Sequence, residues 1–101
     1  MTAPMKIAVL GSGSWGLTLG LLLAENGHRV TMWEFDEELA RELRNSRESR
    51  RFLPGIKIPK SIPIETDIAA ATGKADLILF AVPSHAVRPT AKAVSGVGDF
   101  K

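Results

Sequence analysis

The chain has 101 residues, with 13 basic and 11 acidic side chains and a formal net charge of +2. That length suits a single domain, and so small a charge excess gives no argument for a nucleic-acid partner. The absence of cysteine excludes disulfides, thiolate metal sites and a cysteine nucleophile, and it is typical of a reducing cytoplasm, where we expect the protein. No apolar run reaches membrane-spanning length, no signal peptide is visible, and no cluster of His, Asp and Glu has metal-ligand spacing.

The chain begins with a strand, a glycine-rich turn and a helix. Residues 6–10 are apolar and rich in β-branched side chains, which predicts a buried strand. Residues 14–26 predict a helix that is apolar nearly all round, and such a helix is mostly buried. Gly27 suits the left-handed position that follows a helix.

A second strand and helix follow, and then a different kind of segment. Residues 30–33 predict the strand, and Asp36 is a suitable N-cap for the helix, on which Leu39 and Leu43 give one apolar stripe. Residues 45–63 contain three prolines and several arginines and predict a long irregular connection.

The last part of the chain repeats the alternation of strand and helix. Residues 62–65 predict a short strand, and either Thr66 or Asp67 caps a brief helix. Residues 77–82 are wholly apolar, as in a parallel strand covered on both faces. Pro89 fits the first turn of a final helix and would break one that began at residue 84.

This order predicts an α/β fold of the Rossmann-like, doubly wound type, with a partial parallel sheet of about four strands in the order 3-2-1-4. The strand at 77–82 then forms one edge of the sheet. An apolar open edge promotes association, so we expect this chain to be marginally stable or to self-associate.

The sequence from Gly11 to Gly16 has the spacing G-x-G-x-x-G. In a dinucleotide site Gly11 permits the tight turn, Gly13 lets the backbone approach the pyrophosphate, and Gly16 allows close packing of helix on strand. Amides at the helix start then point at the phosphates. The preceding strand and following helix supply the context that this motif requires.

Glu34, at the end of the second strand, stands where an acid binds the ribose 2′-hydroxyl. A carboxylate there favours NAD over NADP, because it repels a 2′-phosphate. The alternative is a solvated strand end, and the nearby arginines could offset the charge.

Several segments together resemble the N-terminal part of NAD(P)-dependent glycerol-3-phosphate dehydrogenases, from about Met5 to Val94. An aromatic inside the glycine loop, Trp15, is followed downstream by Phe52-Leu53-Pro54-Gly55, a pair that generic Rossmann domains lack. The other matching segments are Asn26-Gly27-His28, Val30-Thr31-Met32-Trp33, Ile58-Pro59, Thr66-Asp67, Ala75-Asp76 and Val82-Pro83-Ser84-His85.

The resemblance implies an enzyme that interconverts dihydroxyacetone phosphate and glycerol 3-phosphate by hydride transfer, with NAD, or NADP, as cofactor. Ser12, Ser14 and Trp15 would then lie at the pyrophosphate and nicotinamide side, and Phe35 against the adenine. Bacterial members often have His or Arg in place of Phe35, which helps them take NADPH, so Phe35 is a departure that again favours NAD. The cofactor cleft would also be lined by Phe80, Val82 and Pro83.

The resemblance also implies that residues 1–101 are a truncated N-terminal dinucleotide-binding domain without the helical substrate domain. The family's catalytic lysines lie beyond the matched part, and Lys101 is too early to be the first of them. We therefore expect no catalytic residue here, an inactive chain at this length, and a homodimer when full length. Two alternatives are the cofactor domain of a related hydroxyacid dehydrogenase and a non-catalytic nucleotide-binding module.

Three smaller questions stay open from the sequence. Trp15 is either a core residue or part of the cofactor floor. His85 either touches the nicotinamide side or caps a turn, whereas His28 is expected at the surface. The arginine-rich segment from Arg41 to Arg51 either meets a phosphate or is a solvated helix face and loop.

Overall fold

The computed structural model describes residues 3–95 and is built around a parallel sheet with helices on both faces. The elements in chain order are β1 (Lys6–Leu10), α1 (Ser14–Glu25), β2 (Arg29–Trp33), α2 (Glu37–Ser46), β3 (Glu48–Ser49), β4 (Leu53–Lys57), β5 (Ile64–Glu65), α3 (Ile68–Thr72), β6 (Leu77–Phe80) and α4 (Ser84–Ser95). The four-stranded sheet has the order β5-β2-β1-β6, which confirms the predicted topology.

The sheet register brings the carboxyl ends of three strands together. Leu10, the last residue of β1, pairs with Trp33 of β2 on one side and Phe80 of β6 on the other. The chain leaves β1 at this point, with a neighbouring strand on each side. Loops that follow the three strands therefore meet along one edge of the sheet, where ligands of such folds bind.

Different helices cover the two faces of the sheet. On one face α1 and α2 cover alternate strand residues, and this core includes Val9, Leu17, Met32 and Leu43. On the other face α3 and α4 pack against Leu10 and Trp33. Neighbouring strand residues point to opposite faces, and because helices cover both faces, these strands are almost continuously apolar.

Helix ends follow the local capping signals. The Asp36 carboxylate accepts hydrogen bonds from the backbone N–H groups of Glu38 and Leu39, which confirms it as the N-cap of α2. Asp67, rather than Thr66, caps α3. Gly27 follows α1 with a φ of 92°, as its position predicted.

The prediction of a long irregular connection over residues 45–63 is wrong. Strands β3 and β4 form an antiparallel hairpin within it. Glu48 stabilises this hairpin, because its carboxylate accepts a hydrogen bond from the Gly55 N–H and pairs with the Lys57 ammonium at 3.5 Å. Pro54 is tolerated since an edge strand has backbone N–H positions without a ladder partner.

Helix α1 is less buried than its composition predicted. Only Gly16, Leu17 and Gly20 are buried, and Leu22 is 53% exposed. The helix approaches the sheet through its glycine face, where a Cβ at Gly20 would lie 3.1 Å from the Met32 sulfur. Trp15 and Leu22 on its outer side are therefore left in solvent.

Two further boundaries differ from prediction. Strand β6 ends at Phe80 rather than residue 82. Helix α4 begins at Ser84 and contains Pro89 about one and a half turns inside, so the expectation that this proline lies in the first turn, and would break a helix begun at residue 84, is wrong. The proline removes a single bond, to the carbonyl one turn earlier, and the helix continues because Val94 is buried in the core. Lys101 lies outside the described residues.

Within residues 3–95, every helix is too short or too polar to cross a lipid bilayer.

Candidate functional site

A cleft of about 680 Å³ opens where β1, β2 and β6 end. It lies between the glycine turn, the β2–α2 connection, the tip of the β3–β4 hairpin and the segment after β6. The lining residues are Gly11, Ser12, Gly13, Ser14, Trp15, Glu34, Phe35, Asp36, Leu39, Arg51, Phe52, Phe80, Ala81, Val82 and Pro83. A cavity of this size is in the range of cofactor sites.

Two of the three loop glycines are required by packing within the protein. Gly11 has a φ of 113°, and a Cβ on it would lie 2.6 Å from the Ala81 carbonyl oxygen. A Cβ on Gly16 would clash with the carbonyl group of Gly11. The first and third glycines therefore let the turn lie close to β6 and let α1 pack on the turn.

Gly13 is different, because no contact within residues 3–95 requires a glycine there. Its φ of −71° is ordinary, and a Cβ on it would meet no atom within 4 Å. The space above Gly13 opens into the cleft. A side chain would occupy that space, so the missing Cβ leaves room for a ligand.

The start of α1 adds a positive end to the same place. Gly13 is the N-cap of α1 and supplies no side-chain acceptor, and the first turn of α1 contains no acidic residue. The first intrahelical bond joins the Leu17 N–H to the Gly13 carbonyl at 2.9 Å. The N–H groups of Ser14, Trp15 and Gly16, in the first turn of the helix, are therefore available for an anion, as at phosphate-binding helix ends.

Glu34 is not a solvated strand end, because it is only 5% exposed. One carboxylate oxygen accepts hydrogen bonds from the Ser12 hydroxyl at 2.5 Å and the Ser12 N–H at 3.3 Å. The other accepts the Asp36 N–H at 2.9 Å. A carboxylate has about four acceptor positions. Glu34 thus links the glycine turn to the start of α2 and keeps about one position for a ligand hydroxyl.

Aromatic side chains form the exposed walls of the cleft. Trp15 is 66% exposed and Phe35 is 68% exposed, so Trp15 is not a core residue. Phe35 is held beside Trp33, with ring centroids 6.3 Å apart. Trp33 itself is buried in the sheet and donates its indole N–H to the Thr66 carbonyl at 3.0 Å. Large exposed rings at the rim of a cleft suit contact with flat ligand rings.

The structure brings together all but one of the residues that the sequence singled out for cofactor binding. Only Gly16 lies outside the cleft, behind the turn that it supports. Five further residues also line the cleft: Asp36, Leu39, Arg51, Phe52 and Ala81. Arg51 and Phe52 arrive through the hairpin, which no local signal predicted.

The two histidines lie outside this cleft. The Nδ1 atom of His28 accepts a hydrogen bond from the Met5 N–H at 3.1 Å, on the opposite side of the sheet from the glycine turn. His85 is exposed in the first turn of α4. Neither ring lines the cleft. The structure therefore does not support the alternative in which His85 touches the nicotinamide side of a cofactor.

A larger depression of about 780 Å³ lies at the amino ends of β1 and β2. Lys6, Arg29 and Lys74 stand at its rim, and alanines of α3 form part of its wall. Gly73 in the turn after α3 lines it, but its lining includes neither the G-x-G-x-x-G turn nor the first residue of a helix. Parallel sheets bind nucleotides at the carboxyl ends of their strands, so we assign the functional site to the other cleft.

A doubly wound parallel sheet with an open glycine turn between its first strand and helix defines a Rossmann-like nucleotide-binding domain. The family model for the N-terminus of NAD-dependent glycerol-3-phosphate dehydrogenase matches residues 6–99. The chain belongs to this NAD(P)-dependent oxidoreductase family and forms its N-terminal cofactor-binding domain. That finding confirms the resemblance seen in the sequence, ahead of the hydroxyacid dehydrogenase alternative.

Relatives found by sequence and by structure support this family assignment. A glycerol-3-phosphate dehydrogenase [NAD(P)+] of Chlorobium phaeobacteroides is 55% identical over 86 residues, which are 85% of this chain and 26% of the relative. The crystal structure of the Coxiella burnetii glycerol-3-phosphate dehydrogenase superposes with a TM-score of 0.90 at 31% identity, covering 97% of this chain and 30% of that one. The structure of the Saccharomyces cerevisiae glycerol-3-phosphate dehydrogenase superposes with a TM-score of 0.83 at 28% identity, and the match covers 96% of this chain and 31% of that one. The chain thus spans about a quarter of the curated relative.

Proposed function

We propose that the cleft binds NAD(H) or NADP(H), with the pyrophosphate over Gly13 and the start of α1. The open space at Gly13 carries this proposal, because the protein itself gives no reason for a glycine there. Gly11 and Gly16 would shape the turn, and Ser12 and Ser14 would lie beside the phosphates.

The two ends of the cofactor would lie against different walls. Glu34 and Phe35 would face the adenosine ribose and adenine, since they follow β2. Trp15, Phe80, Val82 and Pro83 would lie toward the nicotinamide, where the strand β6 ends. When bound, this cofactor supplies or accepts the hydride. The chain's own residues bind it, orient it and exclude water from its rings.

For the whole protein we propose the interconversion of dihydroxyacetone phosphate and glycerol 3-phosphate, in the cytoplasm and as a homodimer. The names of the relatives support the reaction. Hydride transfer also needs an oriented substrate and an acid for the developing alkoxide. We assign neither role to a described residue of the cleft, and we propose that residues 1–101 are the cofactor domain and are inactive without a substrate domain.

Calorimetric titration of this chain with NADH and with NADPH tests the proposal, using Gly13→Ala as the decisive variant. The new methyl group would occupy the pyrophosphate position, so we expect affinity for both cofactors to fall by about tenfold or more. Gly13 is an N-cap, and alanine there costs only about 1 kcal/mol of stability.

The control is Leu22→Ala, on the exposed face of α1 and outside the cleft. It should bind both cofactors like the unmodified chain. Equal affinities in Gly13→Ala and the unmodified chain would contradict the proposed pose. A folded chain that binds neither cofactor would contradict the proposed function of this domain.

A further inference from the structure

The five arginines from 41 to 51 have different surroundings. The Arg44 Nε donates to the Ile64 carbonyl at 2.7 Å, and an Arg47 Nη1 donates to the Ile62 carbonyl at 2.6 Å. These two fasten α2 to the segment before and within β5. Arg41 and Arg50 are exposed and outside the cleft, whereas Arg51 lines it. The arginine-rich segment is therefore mainly structural or solvated, with one guanidinium at the candidate site.

Arg51 is held in place by an aromatic ring rather than by an acid. Its guanidinium carbon lies 5.1 Å from the centroid of the Phe52 ring. Such stacking orients the planar group and leaves its N–H donors free at the edge. Among residues 3–95 there are two ion pairs, Arg44 with Glu65 and Lys57 with Glu48, and neither involves Arg51. The positive charge of Arg51 is thus not neutralised by a protein carboxylate.

The position of Arg51 determines which part of a cofactor it can reach. Arg51 and Phe52 line the same cleft as Glu34, Phe35 and Asp36, which follow β2. The hairpin that carries Arg51 also contacts α2, the helix that begins directly after Asp36, and we therefore assign Arg51 to the β2 side of the cleft. The adenosine ribose of a dinucleotide lies at this end of a Rossmann-like site. The Glu34 carboxylate accepts hydrogen bonds from three protein donors, the hydroxyl and N–H of Ser12 and the N–H of Asp36, which stabilise its negative charge.

We infer that Arg51 binds the 2′-phosphate of NADPH and lets this site accept NADPH as well as NADH. The planar guanidinium offers paired donors to phosphate oxygens. It offsets the charge of Glu34 from a separate element, the hairpin, while the residue after Glu34 is the uncharged Phe35. This inference rests on the proposed cofactor site and names the residue that sets its specificity.

The test compares ligands that differ only in the 2′-phosphate. Dissociation constants are measured by calorimetry for NADPH and NADH, and for adenosine 2′,5′-bisphosphate and adenosine 5′-monophosphate. The variants are Arg51→Gln, Arg51→Lys and, as the matched control, Arg50→Gln on the neighbouring exposed residue outside the cleft. Because Arg51 is exposed, its substitution should leave the fold intact, and far-UV circular dichroism verifies this.

We expect Arg51→Gln to weaken NADPH and the bisphosphate by about tenfold to a hundredfold, the range for a charge-assisted contact to phosphate. NADH and the monophosphate should change by less than about threefold, within the range of exposed substitutions. Arg51→Lys should lie between, because it keeps the charge and loses the paired donors. Arg50→Gln should resemble the unmodified chain.

Three results would overturn the inference. Arg51→Gln could leave NADPH affinity unchanged, weaken both cofactors equally, or act no more strongly than Arg50→Gln. Each of these leaves NADH binding to the unmodified chain in place, so the proposed function survives. A folded, unmodified chain that binds neither NADH nor NADPH overturns the proposed function, and this inference with it.

Discussion

The Glu34 carboxylate accepts hydrogen bonds from both the hydroxyl and the backbone N–H of Ser12, and so joins the end of β2 to the glycine turn after β1. Both residues are buried. The turn is thereby held by a side chain that comes 22 residues later in the sequence. The shape of the candidate phosphate site depends on this link.

Replacing Glu34 should loosen the turn. Glu34→Ala leaves the buried hydroxyl and N–H of Ser12, and the part-buried N–H of Asp36, without their acceptor. We therefore expect the free energy of unfolding to fall by about 1–3 kcal/mol. Glu34→Gln should cost less, because its amide can satisfy one side but presents donors to the other. Urea denaturation measures both, and an unchanged midpoint in Glu34→Ala would contradict this role.

The loop glycines should respond differently to the same added methyl group. Gly16→Ala places a Cβ against the Gly11 carbonyl group, and we expect a loss of about 3 kcal/mol, the upper end for overpacking. Gly13→Ala should lose only about 1 kcal/mol, as an N-cap effect. Thermal unfolding of the two variants compares them directly. Equal losses in stability would contradict the finding that a Cβ at Gly13 has no neighbouring protein atoms.

The two tryptophans have opposite environments and provide a matched pair. Trp33→Phe removes the indole donor to the Thr66 carbonyl and should lower stability by at least about 1 kcal/mol. Trp15→Phe, at an exposed position, should stay within about 0.5 kcal/mol. Guanidinium denaturation followed by circular dichroism distinguishes them. A greater loss for Trp15→Phe would place that ring in the core after all.

The hairpin should weaken in acid because of Glu48. The hydrogen bond from the Gly55 N–H, followed by the bond and charge of Lys57, lowers the pKa of this carboxyl below its ordinary value of 4.5. A group with a lowered pKa in the folded state stabilises it above pH 4.5, and that contribution is lost as the pH falls through the lowered pKa.

Carboxyl NMR titration of Glu48 measures this effect. Lys57→Gln should raise its pKa only part of the way back, because the Gly55 donor remains. A Glu48 pKa at or above the ordinary value in the unmodified chain would contradict the hydrogen bonding of this hairpin.

Strand β6 should mediate self-association of this chain. Among residues 3–95 it is the last strand on its side of the sheet, and Leu77 and Phe80 are 39% and 41% exposed. An apolar open edge pairs with a second copy. We expect size-exclusion chromatography with light scattering to show concentration-dependent dimers or larger species, and Leu77→Lys to shift them toward monomer. A monodisperse monomer at all concentrations would contradict this prediction.

Local signals were sufficient for much of the fold. The strand at residues 6–10, the cap at Asp36 and the left-handed Gly27 each depend on neighbours within a few residues, where propensity and capping act. The alternation of strands and helices was then enough for the strand order, because crossover connections have few allowed topologies. The glycine spacing likewise located the candidate phosphate site.

Tertiary structure decided the features that join distant segments. The sequence placed Glu34 near a ribose, but only the fold shows that its carboxylate is buried and bonded to Ser12. The hairpin and the arrival of Arg51 at the cleft depend on contacts that no periodicity records. The outer face of α1 is apolar in sequence and yet exposed, because burial is set by what packs against a helix and not by its composition. The sequence determined that the chain has a glycine motif suited to a dinucleotide, and long-range packing determined which side chains line the cleft around it.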